Sequence, residues 1–217
     1  MNIVELQVAI GARADGIWGP KSRDAMLAAF TNRRASRITE AELRIFARRM
    51  NCTVKQIRAV AAVESAGGGY DRKGRPKILF ERHKFWKYTG GKWPLASFNN
   101  PVGGGYNEDS WEKLLGAIVT GDVDAAFMAC SWGRFQVLGE WWDDFGFSSP
   151  FAMAFSTVPA ESAHFRLLSD YVIHNHLTDE LAAISANPET CRAFARGYNG
   201  PDYAQSGYHT RLSRAMK

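Results

Sequence analysis

The sequence predicts a mainly helical α+β protein: a helical domain carrying one small extended element, with a small helical module ahead of it. Three observations lead there. Apolar residues recur at helical spacing behind two capping boxes, Thr39-Glu40-Ala41-Glu42 and Thr53-Val54-Lys55-Gln56. Lys77-Ile78-Leu79-Phe80-Glu81-Arg82-His83 reads as a short strand or extended segment. A length of 217 residues at 46% hydrophobic content suffices for one well-cored domain of ordinary size plus an appendage.

Composition excludes several classes. Cys52, Cys130 and Cys191 are an odd count with no C-x-x-C or Cys/His spacing, which argues against a disulfide framework and against a metal site. No apolar run approaches a membrane span and no charged start precedes an apolar signal core, so the chain is expected to be made soluble and unprocessed, without stable membrane insertion. The net charge of +5 favours polyanionic partners. The basic residues are scattered apart from Arg33-Arg34, Arg37 and Arg48-Arg49, which speaks against nucleic acid. Neither a cofactor nor a metal is expected.

Residues 1–30 read as a compact unit. Val4 to Ile10 has helical apolar spacing, Gly11 to Gly19 is a turn-rich loop around Asp15-Gly16, and Pro20 opens a second helix ending near Phe30. Two such helices bury little core by themselves, so the unit must lean on something else. Residues 31–38 are polar and basic and read as a linker. From Thr39 a helix with an apolar stripe at Leu43, Phe46, Ala47 and Met50 leads through Asn51-Cys52 into a second, giving an expected antiparallel pair.

That second helix runs Val54, Ile57, Val60, Ala61 to Glu64 on one face and ends in Gly67, Gly68 and Gly69. A carboxyl group desolvated at such a helix end has its charged form disfavoured, so its pKa rises toward the range a glycosidase acid requires. The alternative is an ordinary exposed helix terminus. Asp71 and Glu81 follow, the first in a charged turn from Tyr70 to Pro76, the second in the extended segment. Residues 84–105 are rich in aromatics, Gly, Pro and Asn and read as an irregular loop.

Short helices are expected over 111–118 and 123–130. Then Ser131-Trp132-Gly133-Arg134-Phe135-Gln136 combines a small residue, a turn, two aromatics and an amide, a set suited to a sugar. Trp132 and Phe135 are weighted toward core rather than ligand contact. Helices resume around 160–175 and 178–187, with His164, His174 and His176 as surface or structural histidines. Finally Ala195-Arg196-Gly197-Tyr198-Asn199-Gly200-Pro201 closes a helix in a Gly-Pro turn that would project Tyr198 and Asn199.

Two resemblances organise these pieces. Ala14-Asp15-Gly16-Ile17-Trp18-Gly19-Pro20-Lys21-Ser22 resembles the D-G-x-[FW]-G-P-x-[ST] signature of small helical peptidoglycan-binding modules, which implies wall contact through Asp15, Gly16 and Trp18 or, in a unit shorter than the usual three-helix module, a remnant that packs on the main domain. From about Thr39 to the C terminus, Glu64-Ser65-x-Gly67, Gly74 to Phe85, Gly104-Gly105-Tyr106, Ser131 to Gln136, Ala195 to Pro201 and Tyr208-His209-Thr210-Arg211-Leu212 resemble the phage N-acetylmuramidase endolysin family of the lysozyme-like superfamily.

The resemblance implies a lysozyme-like catalytic domain over 39–217 that hydrolyses the β-1,4 bond between N-acetylmuramic acid and N-acetylglucosamine. It implies Glu64 as the proton donor, with Glu81 slightly ahead of Asp71 as second carboxylate, and Ser131, Gln136, Tyr198 and Asn199 as substrate-binding residues. The partner implied is peptidoglycan, met by a monomer. The enzyme would be synthesised in the host cytoplasm and reach the periplasmic wall when a holin opens the inner membrane. The rivals are a lytic transglycosylase releasing 1,6-anhydromuramic products and a noncatalytic wall-binding phage protein.

Overall fold

The computed structural model describes residues 1–64, 68–93 and 109–217. The expected loop over 84–105, Ser65, Gly67 and Gly104-Gly105-Tyr106 lie partly or wholly outside the described residues. The architecture is mainly helical with a small antiparallel sheet, and the chain forms two compact units, each built from separated segments: Met1–Ala35 with Tyr70–Pro159, and Ser36–Gly69 with Ala160–Lys217. Boundaries expected at 30 and 38 thus fall differently. Residues 1–30 lie inside the first unit, and the expected linker is split between the two.

The reason is Phe30. Helices α1 (Ile3–Ala9) and α2 (Pro20–Ala29) deliver its ring, fully buried, into an aromatic cluster of the first unit. It meets Trp111 edge-on at 5.3 Å between centroids, Trp132 at 5.8 Å and Phe151 at 6.0 Å. Two short helices cannot make a core, so they complete this one. Leu6 and Met26, neither accessible to solvent, join the same cluster.

The sheet of this unit has the order β1–β2–β3, formed by Ile78–Phe80, Cys130–Trp132 and Val137–Leu138, with Phe80 opposite Cys130 and Ser131 opposite Leu138. Around it lie α5 (Arg82–Tyr88), α6 (Ser110–Ile118), α7 (Val123–Met128) and α8 (Pro150–Ser156). Trp132 is 1% exposed, stacks on Phe127 and donates its indole N–H to the Phe127 carbonyl at 3.1 Å. Phe135 is buried too, so both aromatics of the sugar-suited stretch serve the core.

In the second unit, α3 (Glu40–Arg49) and α4 (Val54–Glu64) pack on each other, and both capping boxes form. The Thr39 side chain accepts from Glu42 N while Glu42 reaches back. Thr53 Oγ1 accepts from Gln56 N at 3.2 Å, and Thr53 N donates to Gln56 Oε1 at 2.8 Å. Gln56 also donates to the Ala182 and Ile184 carbonyls, pinning the start of α4 to the end of α10 (Thr178–Ala183). Helices α9 (Glu161–His174), α11 (Arg192–Asn199) and α12 (Tyr208–Ala215) complete the unit, with α12 lying along α4.

Candidate active site

Glu64 is the last residue of α4 and sits partly buried against α12. Its Oε1 accepts a hydrogen bond from the Tyr208 hydroxyl, 144 residues away in sequence. Oε2 has no hydrogen-bond partner among the described residues. Burial holds the carboxyl above its ordinary pKa, opposed by the Tyr208 hydroxyl and the nearby Arg211 charge, both of which favour the ionised form. Desolvation prevails, as the apolar face of α4 led one to expect.

The surroundings of this pair are aromatic. Tyr198 stacks on Phe194 at 5.3 Å and on Tyr208 at 6.3 Å, and meets Tyr171 edge-on at 5.4 Å. Burial and the Glu64 charge push the hydroxyls of both Tyr198 and Tyr208 well above the usual tyrosine range. Each therefore remains protonated, and Tyr208 remains a donor. Arg211 lies 5.7 Å from the Tyr208 ring centroid and is fixed by donating to the Ser206 carbonyl at 2.8 Å. Tyr198 is thus turned inward rather than projected, while Asn199 is exposed at the end of α11. Gly200, at φ +86°, supplies the left-handed residue that ends that helix.

The remaining sequence-selected residues belong to the first unit. Glu81 caps α5 through its backbone and has a 19% exposed side chain. It accepts from Ser131 Oγ at 3.3 Å and lies 3.4 Å from His83 Nε2. Gln136 adopts φ +50° in the β2–β3 turn and donates to the Gly133 carbonyl at 2.7 Å, so its amide nitrogen holds the turn. Asp71 is occupied at both oxygens: Oδ1 accepts from Lys73 N and Arg75 N at 2.8 and 3.0 Å, and Oδ2 pairs with Arg75 at 2.8 Å. A carboxylate so engaged is poorly placed to attack or activate anything.

Sequence reasoning missed Glu140 in this unit, which pairs with Lys84 at 3.2 Å and accepts from the Tyr88 hydroxyl. Burial and the Glu140 charge raise the Tyr88 pKa strongly. Tyr208 and Arg211 were also missed as functional groups; only their place in a matching stretch pointed to them.

The Asp15 loop is held from within. Gln7, fully buried, donates to Asp15 Oδ1 at 3.1 Å and to Ser22 Oγ at 3.0 Å, and accepts from Gly16 N at 2.8 Å. The Ile17 amide lowers the Asp15 pKa most, with Gln7 assisting. Gly16 has φ +74°, and Trp18 donates its indole N–H to the Leu115 carbonyl at 3.1 Å. The signature residues thus shape the loop and anchor it to α6, leaving Ile17, 70% exposed, at its surface.

The family model for N-acetylmuramidase (Muramidase) matches residues 53–217. Among solved structures, the crystal structure of the Burkholderia AP3 phage endolysin is similar to this chain, with 28% identity, a TM-score of 0.74, and coverage of 99% of this chain and 92% of that one. No curated protein matches.

Proposed function

The chain belongs to the N-acetylmuramidase family, and from that premise we propose that Glu64 is the general acid of a phage endolysin that hydrolyses the β-1,4 bond between N-acetylmuramic acid and N-acetylglucosamine. The observation that carries the proposal is the Glu64 carboxyl itself, desolvated at a helix end with Oε1 held by Tyr208. With Oε1 occupied by a donor, the acid's own proton resides on Oε2. From there it passes to the leaving glycosidic oxygen as the C–O bond breaks. An oxocarbenium-like centre then needs a second carboxylate, either as nucleophile or as base for water. Glu81 fills that role better than Asp71, because among the described residues its side chain meets only Ser131 and His83, while Asp71 is consumed by its turn.

Ser131, Gln136, Tyr198 and Asn199 serve substrate binding in this reading, Tyr198 through the aromatic stack behind Glu64 and Asn199 through its exposed amide. The candidate catalytic residues all come from residues 39–217, and residues 1–30, besides completing the core of the first unit, add affinity for insoluble wall through the Asp15–Trp18 loop. The enzyme acts as a monomer on periplasmic peptidoglycan after holin-dependent release from the host cytoplasm. No helix among the described residues is long and apolar enough to cross a membrane.

The test is digestion of purified peptidoglycan by the wild type and Glu64→Gln, with products identified by mass spectrometry. Reducing muramic acid ends from the wild type and none from the variant are expected. Anhydromuramic ends would make the enzyme a lytic transglycosylase, and undiminished turnover by Glu64→Gln would remove Glu64 from the mechanism.

A further inference from the structure

The first unit holds a cleft of about 310 Å³ that no part of the proposed reaction uses. It is walled by Asn32, Arg33, Tyr70, Asp71, Arg72 and Gly74. Its neutral and acidic groups are satisfied internally. Asn32 donates its amide to the Val158 and Pro159 carbonyls at 3.2 and 3.3 Å and accepts from Arg34 N at 3.0 Å. Tyr70 donates its hydroxyl to the Thr157 carbonyl at 3.0 Å. Asp71 is neutralised by Arg75, whose side chain is only 8% exposed. Arg33 and Arg72, by contrast, have no hydrogen-bond or ion-pair partner among the described residues. The cleft therefore presents two unspent guanidinium groups on a wall whose single negative charge is already matched.

The wall is also shaped by the backbone. Asn32 N donates to the Gly74 carbonyl at 2.9 Å, and Gly74 takes φ +83° with its Cα against Arg33. A Cβ there would lie 3.1 Å from both N and Cα of Arg33. Glycine at 74 thus permits the 32–33 segment and the 70–74 turn to close on each other, which sets the two arginines on one cleft.

Guanidinium groups are planar double donors that match carboxylates in a two-point fashion. Two of them on a cleft of this size fit an extended ligand bearing more than one carboxylate better than a single small anion. Resting on the muramidase reading, we propose that this cleft is a subsite for the free carboxylates of the peptide stems carried by muramic acid. It recognises the peptide portion of the wall while the glycan is being cut. The contribution is electrostatic and exposed, so it acts on KM and fades with salt.

The proposal is tested on the full chain with the double variant Arg33→Gln/Arg72→Gln, whose altered groups are exposed. Calorimetric titration with a synthetic stem peptide bearing free carboxylates is expected to show binding to the wild type, loss in the double variant, and loss for the wild type when the carboxylates are amidated. In parallel, KM on stem-bearing peptidoglycan rises about three- to tenfold at low salt in the double variant with kcat unchanged. KM on glycan stripped of its stems does not change. Equal peptide binding by wild type and double variant overturns the proposal. So does a wild type that binds inorganic phosphate or vesicles containing anionic phospholipid but not the peptide. A wild type that binds the peptide yet cuts neither glycan substrate would instead refute the muramidase reading and leave the subsite standing.

Discussion

Replacing Tyr208 by Phe removes one oxygen atom and leaves a ring that is 1% exposed and packed between Tyr198 and Arg211. The fold should persist, so the effect falls on Glu64. The hydroxyl donates to Oε1 and thereby favours the ionised carboxyl, working against burial. A hydrogen bond to a charged partner contributes about 1.5–3 kcal/mol. Its loss therefore moves the protonation of Glu64 to higher pH. In the proposed mechanism Glu64 acts as an acid, so its active form is the protonated one. The basic limb of kcat/KM against pH must therefore move to higher pH in Tyr208→Phe. On the acid side both enzymes are protonated and the variant loses only orientation, worth about 0.5–1.5 kcal/mol, or roughly a two- to tenfold lower rate. The ratio of wild-type to variant activity then falls as pH rises. Initial rates on soluble glycan fragments from pH 4 to 9 measure this directly. Superimposable basic limbs would refute the idea that Tyr208 tunes Glu64, whatever happens to the rate.

Four further outcomes are expected. Because the folded Glu64 has a pKa above 4.5, the folded chain keeps a proton that the unfolded chain has lost between pH 4.5 and that raised value; stability falls as pH rises through this window. Glu64→Gln should accordingly match the wild type in thermal midpoint at pH 4 and exceed it at pH 8; a midpoint difference independent of pH would contradict the desolvation argument. Phe30→Ala should cost about 3–5 kcal/mol by urea denaturation, since it empties the ring cluster of the first unit, and a cost below about 1 kcal/mol would show that residues 1–30 are separable after all. Asp71→Asn should lower stability by about 1–3 kcal/mol through the abandoned Arg75 while Glu81→Gln abolishes turnover; full activity of Glu81→Gln would withdraw it as second carboxylate.

What the sequence reveals about this site follows the range of the interactions involved. Glu64 is legible because its evidence is local: a capping box at Thr53 sets the helix phase, and four apolar residues at helical spacing place the carboxylate relative to the buried face. Tyr208 is not legible as its partner, because nothing within a few residues of either one encodes a contact spanning 144 positions. Motif matching points to Gln136 and Tyr198 but not to their orientations: the Gln136 amide nitrogen holds a turn, and the Tyr198 ring stacks on Tyr208. The N-terminal residues show the converse. Their signature is local and readable, yet Phe30 finds its core only in rings 81 or more positions away, at Trp111, Trp132 and Phe151.

The carboxylates considered for catalysis differ less in identity than in what surrounds them, and the proposed roles follow those surroundings. Asp71 receives two backbone amides and a guanidinium, all of which stabilise its charge and fix its place in a turn. Such a group is held firmly and resists movement. Glu64 receives one phenolic hydroxyl on one oxygen, and burial outweighs both that bond and the Arg211 charge, so it is oriented without being fully stabilised as an anion. A proton donor needs that combination, because every additional donor to Glu64 would deepen the anion and weaken the acid. The same reasoning accounts for Arg211: it is held to the Ser206 carbonyl and reaches Glu64 as a charge across the Tyr208 ring rather than by a direct ion pair. A direct guanidinium–carboxylate pair at Glu64 would favour its anion and weaken the proposed acid.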